Sequence, residues 1–503
     1  MFLFSGSPNG RRKAGMETDA WRELLDWVAA GLMVRTDSRK IEPGEAFVAM
    51  PGVREPGTRF IPDALARGAG FVVAAPSFEL DAVWPATAAA RLVRRDDPVA
   101  ALGELAGAYF KTNALTLKLA GVTGTNGKTT VSFLVEHLLT AVGLKVGVLG
   151  TVSYRWPGFC VDAKLTTPDC WMLHELLANM EKSDVDVVVM EVSSHALDQN
   201  RVAGLRFDAA LITNVTQDHL DYHQDMERYF EAKSRLFYTC PKPDKVGVAN
   251  LDDERCRKLA RGVFPAMGFA LKDTGEYPFP VVRGRILSSS AKGLHLEVRY
   301  KGKTWEIASP LIGEHNASNL LAAQTLALAL GASCKDMRRL SDFKGVPGRL
   351  ERVENPHGLD VFVDYAHTPD ALVNVQKALR GLHVRRLVVV FGCGGNRDRT
   401  KRPLMARAVA EHADVAVLTS DNPRHEDPLA IMADARPGLE RARGVIEEPD
   451  RAAAIRRAVE LVEPGDVLLV AGKGHESYQQ VGDEFRPFSD REATAAAIRE
   501  VKG

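Results

Sequence analysis

The chain has 503 residues, 45% of them hydrophobic, which is material for about three domains at the usual 100–200 residues each. Lysine plus arginine and aspartate plus glutamate both number 65, so no overall charge recruits nucleic acid or a membrane surface, and any phosphate binding must be local. Six cysteines, at 160, 170, 240, 256, 334 and 393, form no C-x-x-C pair, and so few in a long chain argue against a disulfide framework or a zinc ribbon.

The opening MFLFSGSPNGRRK has an apolar stretch too short for a signal segment, with its charges on the wrong side, and no run reaches the ~18 apolar residues of a membrane span. The expectation is a cytoplasmic protein without a membrane span. Residues 1–113 hold the short apolar runs AFVAM (46–50) and GFVVAA (70–75) between Pro/Gly-rich turns, and close on a helical pattern, VAALGELAGAYF (99–110). From 114 to 345 strand, turn and helix repeat: LKLAGV (117–122), KVGVLGTV (145–152), DVVVMEV (186–192), AALITNV (209–215) and KVGVAN (245–250). Short continuous apolar runs alternating with helical patterns predict a parallel sheet buried on both faces. A stretch with β character (279–308) interrupts before the helical NLLAAQTLALALG (319–331). Residues 346–503 repeat the alternation with DVFVDYA (360–366), RLVVVFGCGG (386–395), VAVLTSD (415–421) and DVLLVAGKGHE (466–476). The expected architecture is α/β in three domains: an N-terminal α/β domain, a central P-loop domain with a parallel sheet, and a C-terminal Rossmann-like α/β domain.

GVTGTNGKTT (121–130) follows a predicted strand and opens a predicted helix, the context a P-loop requires. Glycines let backbone N–H groups wrap phosphates, the helix start adds partial positive charge, Lys128 reaches the β/γ-phosphates and Thr129 offers a hydroxyl to Mg²⁺. The spacing is a variant, because the strict pattern needs glycine where Val122 stands. Hard cations want oxygen ligands. Glu191 ends DVVVME, and His219, in NVTQDHLDYH (214–223), lies just beyond another strand end. A strand-terminal glutamate also serves as a cap and a lone histidine also serves structure, so both readings stand until neighbours are placed beside them.

These motifs resemble the Mur ligase family, ATP-dependent enzymes that add amino acids to the UDP-linked precursor of bacterial peptidoglycan. GTNGKTT (124–130), EVSSHALDQNR (191–201), TNVTQDHLDYH (213–223), YFEAKSRLF (229–237), GEHNASN (313–319), GRLE (348–351), DYAHTPD (364–370) and GKGHE (472–476) carry the resemblance, and TDSRKIEPGEAFVAMPG (36–52) looks like a UDP-binding segment. The resemblance implies ATP on Gly124, Thr125, Asn126, Gly127, Lys128, Thr129 and Thr130, with Asn316, Arg349, Asp364 and His367 completing the nucleotide site. It implies Mg²⁺ on Thr129, Glu191 and His219, and on Lys233 as a carbamate; without it, Lys233 reads as a solvated lysine on an amphipathic helix. It implies a UDP-muramoyl-dipeptide on Ser38, Thr166, Thr167, Ser193, Gln199 and Arg201. The first domain would then bind the UDP substrate, and small molecules, with no nucleic acid, would be the partners of a monomer.

DNPRHED (421–427) reads first as a turn, since Asn/Asp-Pro stretches initiate turns. Arg424 is surplus to a turn, and its planar fork suits a carboxylate. DNPR resembles the signature of family members that add meso-diaminopimelate, whose second amino-acid centre carries a carboxylate that lysine lacks. Arg397, Asp421, Asn422, Arg424, Gly472 and Glu476 would form that pocket. Rival expectations are a folylpolyglutamate synthetase, a P-loop switch or motor, and a UDP-sugar-binding module with a degenerate ATPase. The UDP-type segment and DNPR oppose the first, and intact Lys128, Thr129 and Glu191 oppose the last.

Overall fold

A computed structural model describes residues 8–52, 55–78, 84, 89–238, 241–262, 266–272, 275–382 and 384–503. Cys240 lies outside them, and the five described cysteines are free. Three sheets of more than two strands organise the chain in order. The first has four parallel strands, Val34–Arg35, Ala46–Val48, Phe71–Ala74 and Arg91–Arg94. Helix Pro98–Phe110 packs beside it, its Asp97 carboxylate capping the amides of Val99 and Ala100, with proline at the first turn where its missing N–H costs nothing.

The central sheet has eleven strands. Its middle runs in parallel as Phe207–Ile212, Lys118–Thr123, Val187–Glu191, Val146–Leu149. All of Val187–Glu191 is buried, as expected for a parallel strand covered on both faces. The sequence reading of a parallel sheet holds for this centre, whereas both edges turn antiparallel. Ser153–Trp156 and Phe159–Asp162 form one edge. At the other, the β-rich stretch resolves into Val281–Ser290, Gly293–Tyr300 and Lys303–Ser309. Hairpins suit the edges because only antiparallel neighbours can be joined by tight turns. Helix Lys128–Ala141 follows Lys118–Thr123 and buries Val131, Leu134, Val135 and Leu138, spaced one helical turn apart on a single face.

The C-terminal sheet has six strands, in the order Glu351–Arg352, Asp360–Asp364, Val467–Ala471, Leu387–Cys393, Val415–Ser420, Val445–Glu447. The five after the first are parallel. In open α/β sheets, ligands bind outside the carboxyl ends of the strands. Here GKGHE, GGNR and DNPR leave the carboxyl ends of three adjacent strands, so loops far apart in sequence meet at one edge. A two-stranded hairpin, Tyr478–Val481 with Glu484–Pro487, had no counterpart in the sequence reading. It leans on the DNPR loop: the Arg424 amide donates to Gln480 O at 3.0 Å, and the Gly482 amide donates to Arg424 O at 2.6 Å.

Candidate active site

The carboxyl ends of the four central parallel strands converge. Thr123 leads into the Gly-rich loop, Glu191 ends its strand, Asn214 to His219 follow Ile212, and Thr151 follows Leu149. Gly124 (φ +139°) and Gly127 (φ +89°) hold conformations that L side chains rarely adopt. A Cβ on Gly124 would meet the Thr213 side chain, and one on Gly127 the Asn319 amide. The loop is pinned from outside: Asn126 N donates to Asn214 Oδ1 at 3.0 Å, Thr213 Oγ1 to Asn126 O at 2.6 Å, and the Thr125 hydroxyl to Thr216 O at 3.1 Å. Thr130 is buried on the first helical turn. Lys128 Nζ donates to the carbonyls of Gly124 and Thr125, both at 2.9 Å, folding back over the loop it would share with a phosphate. Burial lowers its affinity for a proton, against the attraction of Glu191 and Asp218.

Thr129 Oγ1 donates to Glu191 Oε2 at 3.0 Å. The buried Glu191 also accepts from the Thr151 amide at 3.0 Å and the Thr151 hydroxyl at 2.9 Å. Thr151 was missed by the sequence reading; its position just after an apolar strand is the only signal it offers. Among the described residues no cluster of three or more His, Cys, Asp or Glu side chains is set for a metal. A Mg²⁺ needs only one or two protein carboxylates when phosphates and water fill the rest of its octahedron, and the buried Thr129–Glu191 pair fits that demand.

His219 (φ +53°) sits 3.4 Å from the Asp218 carboxylate and edge-on to His195, ring centroids 4.7 Å apart. Burial pushes its pKa down to about 4, so it is a neutral imidazole near pH 7. Lys233 is not the solvated lysine of an amphipathic helix. It is buried, 1% exposed, and Nζ donates to Gly124 O at 2.9 Å with Tyr229 beneath it, 4.3 Å from the ring centroid. Burial, then the charge of Lys128, holds its pKa well below the usual lysine range.

A cavity of about 590 Å³ opens beside the loop, lined by Asn126, Gly127, Thr130 and Asn316 from the central region and by Arg349, Asp364 and Asn374 from the C-terminal one. Asn316 is buried, its amide bonded to Ile312 O at 2.8 Å and to Asn319 at 3.0 Å. Asp364 accepts from the amides of Leu350 at 2.7 Å and Ala366 at 2.8 Å. Its pKa is raised, burial outweighing Arg349 and these amides. Arg349 stacks on Tyr365, 4.8 Å to the centroid, with its buried Nε unpartnered. His367 is exposed, Nδ1 2.7 Å from Tyr365 O.

Five expected precursor contacts fall together. Arg201 donates to Gln199 Oε1 at 2.7 and 3.0 Å and to Thr167 O at 3.0 Å. Thr167, fully buried, bonds Glu191 O at 2.9 Å and accepts from the Ser193 amide at 3.1 Å. Ser193 Oγ caps the Ala196 amide at 3.1 Å, and Thr166 Oγ1 lies 3.2 Å from Thr151 Oγ1. Ser38 stands apart in the first sheet's layer, buried in a turn capped by Asp37, its hydroxyl bonded to Asp63.

At the C-terminal sheet, Arg424 holds φ +52°, a conformation disfavoured for a residue with a Cβ. It anchors Nη1 on Gly395 O at 2.7 Å and leaves the rest of the fork open. Arg397 stands exposed on the neighbouring loop. Asn422, 3% exposed, donates to Glu476 Oε2 at 2.9 Å. Asp421 sits so close to Gly472 (φ +122°) that a Cβ there would lie 2.7 Å from its Oδ2. Three basic residues missed by the sequence reading support these loops. Arg451, buried against Asp490, donates to Ser420 O at 3.2 Å and Ala471 O at 3.0 Å, the carbonyls just before Asp421 and Gly472. Arg402, 2% exposed, ties Glu426 at 2.9 Å to Asp434 at 2.8 Å. Lys473, fully buried, donates to Asn422 Oδ1 at 2.9 Å and Glu476 Oε2 at 3.2 Å. Lys473 lay inside the quoted GKGHE, but only its flanking residues were taken.

Three family models match the chain in sequence: the Mur ligase family catalytic domain over 32–110, the Mur ligase middle domain over 122–327, and the Mur ligase glutamate ligase domain over 348–474. The chain belongs to the Mur ligase family. A relative from Lawsonia intracellularis, named UDP-N-acetylmuramoyl-L-alanyl-D-glutamate--2,6-diaminopimelate ligase, is 52% identical over 472 residues, 94% of this Mur ligase and 96% of the relative. A solved structure bearing the same enzyme name is 34% identical with TM-score 0.66, covering 93% of this chain and 95% of that one. The MurF ligase of Thermotoga maritima in complex with ADP is 19% identical with TM-score 0.56, over 95% of this chain and 97% of that one, and shares the fold.

Proposed function

We infer that this Mur ligase is an ATP-dependent ligase that joins meso-2,6-diaminopimelate to UDP-N-acetylmuramoyl-L-alanyl-D-glutamate in peptidoglycan precursor synthesis. The observation that carries the reading is the pocket at the C-terminal sheet edge. There the Arg424 fork and the Asn422 amide can donate to a carboxylate, while Glu476 can accept from an ammonium. That set complements a second amino-acid centre, which diaminopimelate has and lysine lacks. Arg397, Asp421 and Gly472 complete it.

A carboxylate does not react with an amine at neutral pH, because its leaving group would be oxide. Transfer of the γ-phosphoryl group of ATP to the glutamyl carboxylate makes an acyl phosphate and ADP. The neutral amine attacks its carbonyl carbon, and the tetrahedral intermediate expels phosphate and a proton to leave the amide. Gly124 to Thr130 would cradle the phosphates, with Lys128 on the transferring group. Asn316, Arg349, Asp364 and His367 would hold the rest of the nucleotide. Thr166, Thr167, Ser193, Gln199 and Arg201 would position the precursor's dipeptide end, and Ser38 its uracil. Thr129 and Glu191 would hold one Mg²⁺, and Glu191, His219 and Lys233 as a carbamate a second. Mg²⁺ there supplies charge neutralisation on the triphosphate. The burial of Lys233 beneath Gly124 supports this reading, since a carbamate on that arm would supply oxygen where an ammonium would repel a cation; intact mass after incubation with bicarbonate tests the modification. We take residues 1–113, 114–345 and 346–503 as the precursor, ATP and amino-acid domains of a cytoplasmic monomer. No described helix is long and apolar enough to cross a membrane.

Phosphate release measured with ATP and UDP-muramoyl-dipeptide, adding diaminopimelate, L-lysine or L-glutamate in turn, tests the function. Release should require diaminopimelate. Equal release with lysine, or release without any amine, would overturn it.

A further inference from the structure

We propose that Lys473 is a positioning residue that sets the selectivity of the amino-acid pocket, by locking the orientation of the Asn422 amide and the carboxylate of Glu476; the proposal rests on reading that pocket as the diaminopimelate site. Lysine is almost never fully buried unless it is paired. Lys473 has no exposed surface, and it spends its donors on Asn422 Oδ1 at 2.9 Å and Glu476 Oε2 at 3.2 Å, with the Tyr478 ring centroid 5.5 Å away. Such a side chain cannot itself greet a substrate.

The consequence falls on Asn422. Its Oδ1 faces two donors, Lys473 Nζ and the Gln480 amide at 2.9 Å, while its Nδ2 faces the Glu476 carboxylate at 2.9 Å. Flipping the amide would set NH₂ against an ammonium and an N–H, and C=O against a carboxylate, so one orientation survives. That orientation leaves one Nδ2 hydrogen and Glu476 Oε1 without a protein partner. A donor and an acceptor side by side match the carboxylate and ammonium of an α-amino-acid centre. A side-chain amine alone fills only half of the set. Main-chain geometry aims the lysine: Gly472 (φ +122°) and Gly474 (φ +54°) flank it in backbone conformations suited to glycine, and the Glu476 amide closes the turn on Lys473 O at 2.9 Å. Without Lys473 the amide orientation rests on the Gln480 N–H alone and Glu476 loses its cation, so the pair is held more loosely and discrimination should fall more than folding.

Lys473→Met keeps an unbranched side chain one atom shorter and removes its donors. Steady-state phosphate release on the purified full chain should show the KM for meso-diaminopimelate rising about tenfold or more, as expected for losing a charge-assisted anchor, with the KM values for ATP and the UDP-precursor within about twofold. Preference for meso-diaminopimelate over L-lysine should drop by a similar factor, a readout that general loosening would not move. An unchanged KM for diaminopimelate, or an equal rise in all three KM values, would overturn the proposal. Should K473M fail to fold, K473Q carries the same comparison, because its amide is one atom too short to reach both partners; native selectivity in folded K473Q overturns the idea equally. Native protein that releases phosphate with diaminopimelate keeps the functional reading intact whichever way the variants fall. Native protein that does not removes both.

Discussion

Arg424→Ala is the sharpest perturbation of the proposed pocket, because the structure separates what it removes from what it leaves. Alanine keeps a Cβ, so the backbone cost of φ +52° is unchanged. The main-chain bonds to Gln480 O at 3.0 Å and from Gly482 N at 2.6 Å also survive. The protein itself loses only the bond from Nη1 to Gly395 O, worth about 1 kcal/mol, and the melting temperature should move little. The substrate loses the rest of the fork. Removing one partner of a hydrogen-bonded charge pair costs about 2–5 kcal/mol when buried, and the half-buried position of Arg424 argues for the lower part, about 2–3 kcal/mol. At about 1.4 kcal/mol per factor of ten, that is a loss of roughly 30- to 150-fold in kcat/KM for diaminopimelate.

The loss should fall on KM, since the fork grips a carboxylate far from the reacting amine and holds it equally in ground and transition states. Phosphate release at varied diaminopimelate, with ATP and precursor saturating, reads it directly. Arg424→Lys should fall between, keeping a point charge without the planar fork. A KM for diaminopimelate within about threefold of native in R424A would refute the reasoning, because no carboxylate-binding arginine of this exposure is that dispensable.

Lys128→Met removes the cation folded over the Gly-rich loop, and kcat should drop about 100- to 1,000-fold with KM for diaminopimelate held, read by single-turnover phosphate release. Gly124→Ala places a Cβ against Thr213 at φ +139°, so calorimetry should find nucleotide binding lost and precursor binding kept. His174 is buried between Thr112 and Ala203 O, and burial pushes its pKa from 6.5 down to about 4. The unfolded chain then binds the proton more readily, so stability is full above the unfolded pKa and falls as pH drops through 6.5 toward 4. Between pH 7 and 4.5 this one site should cost about 2–3 kcal/mol in urea denaturation, and His174→Gln should flatten that limb.

The strand ends were legible because continuous apolar runs flanked by Gly, Asp and Pro fix where parallel strands stop, and stopping points are where ligands sit. Glu191, Arg424 and the Gly-rich loop could therefore be named from the sequence. Lys233 was legible only through the family resemblance: its helix reads as amphipathic, and nothing local says that position 233 faces inward under Gly124. Supporting residues were illegible for a different reason. Thr151, Arg402, Arg451 and Lys473 act on carbonyls and carboxylates up to 51 positions away, and a spacing-based reading carries no term for such pairings. The Tyr478–Pro487 hairpin escaped because its strands are short, half-exposed and polar, without the alternation that marks a buried face.

The cavity beside the Gly-rich loop and the proposed amino-acid pocket share a wall. Gly348 (φ +66°) packs against the backbone of Gly474 and His475, and a Cβ there would collide with the His475 amide. Its carbonyl accepts from the Tyr365 amide at 2.9 Å, and the Tyr365 ring lies 4.8 Å from the Arg349 guanidinium and 5.0 Å from the His475 ring. Arg349 and Asp364 line the cavity beside the Gly-rich loop on one side of this wall, while Lys473 and Glu476 build the proposed amino-acid pocket on the other. The two sites therefore cannot be displaced independently without breaking the 348–365–475 contact. A ligase must not expose an acyl phosphate to water before the amine is in place. On the proposed roles, mounting the nucleotide's second half and the amine's pocket on one sheet edge would bring both reactants to the Gly-rich loop together. On those roles, that shared edge ties GRLE and DYAHTPD, which would hold the nucleotide, to GKGHE, a separate motif that would help hold the amino acid.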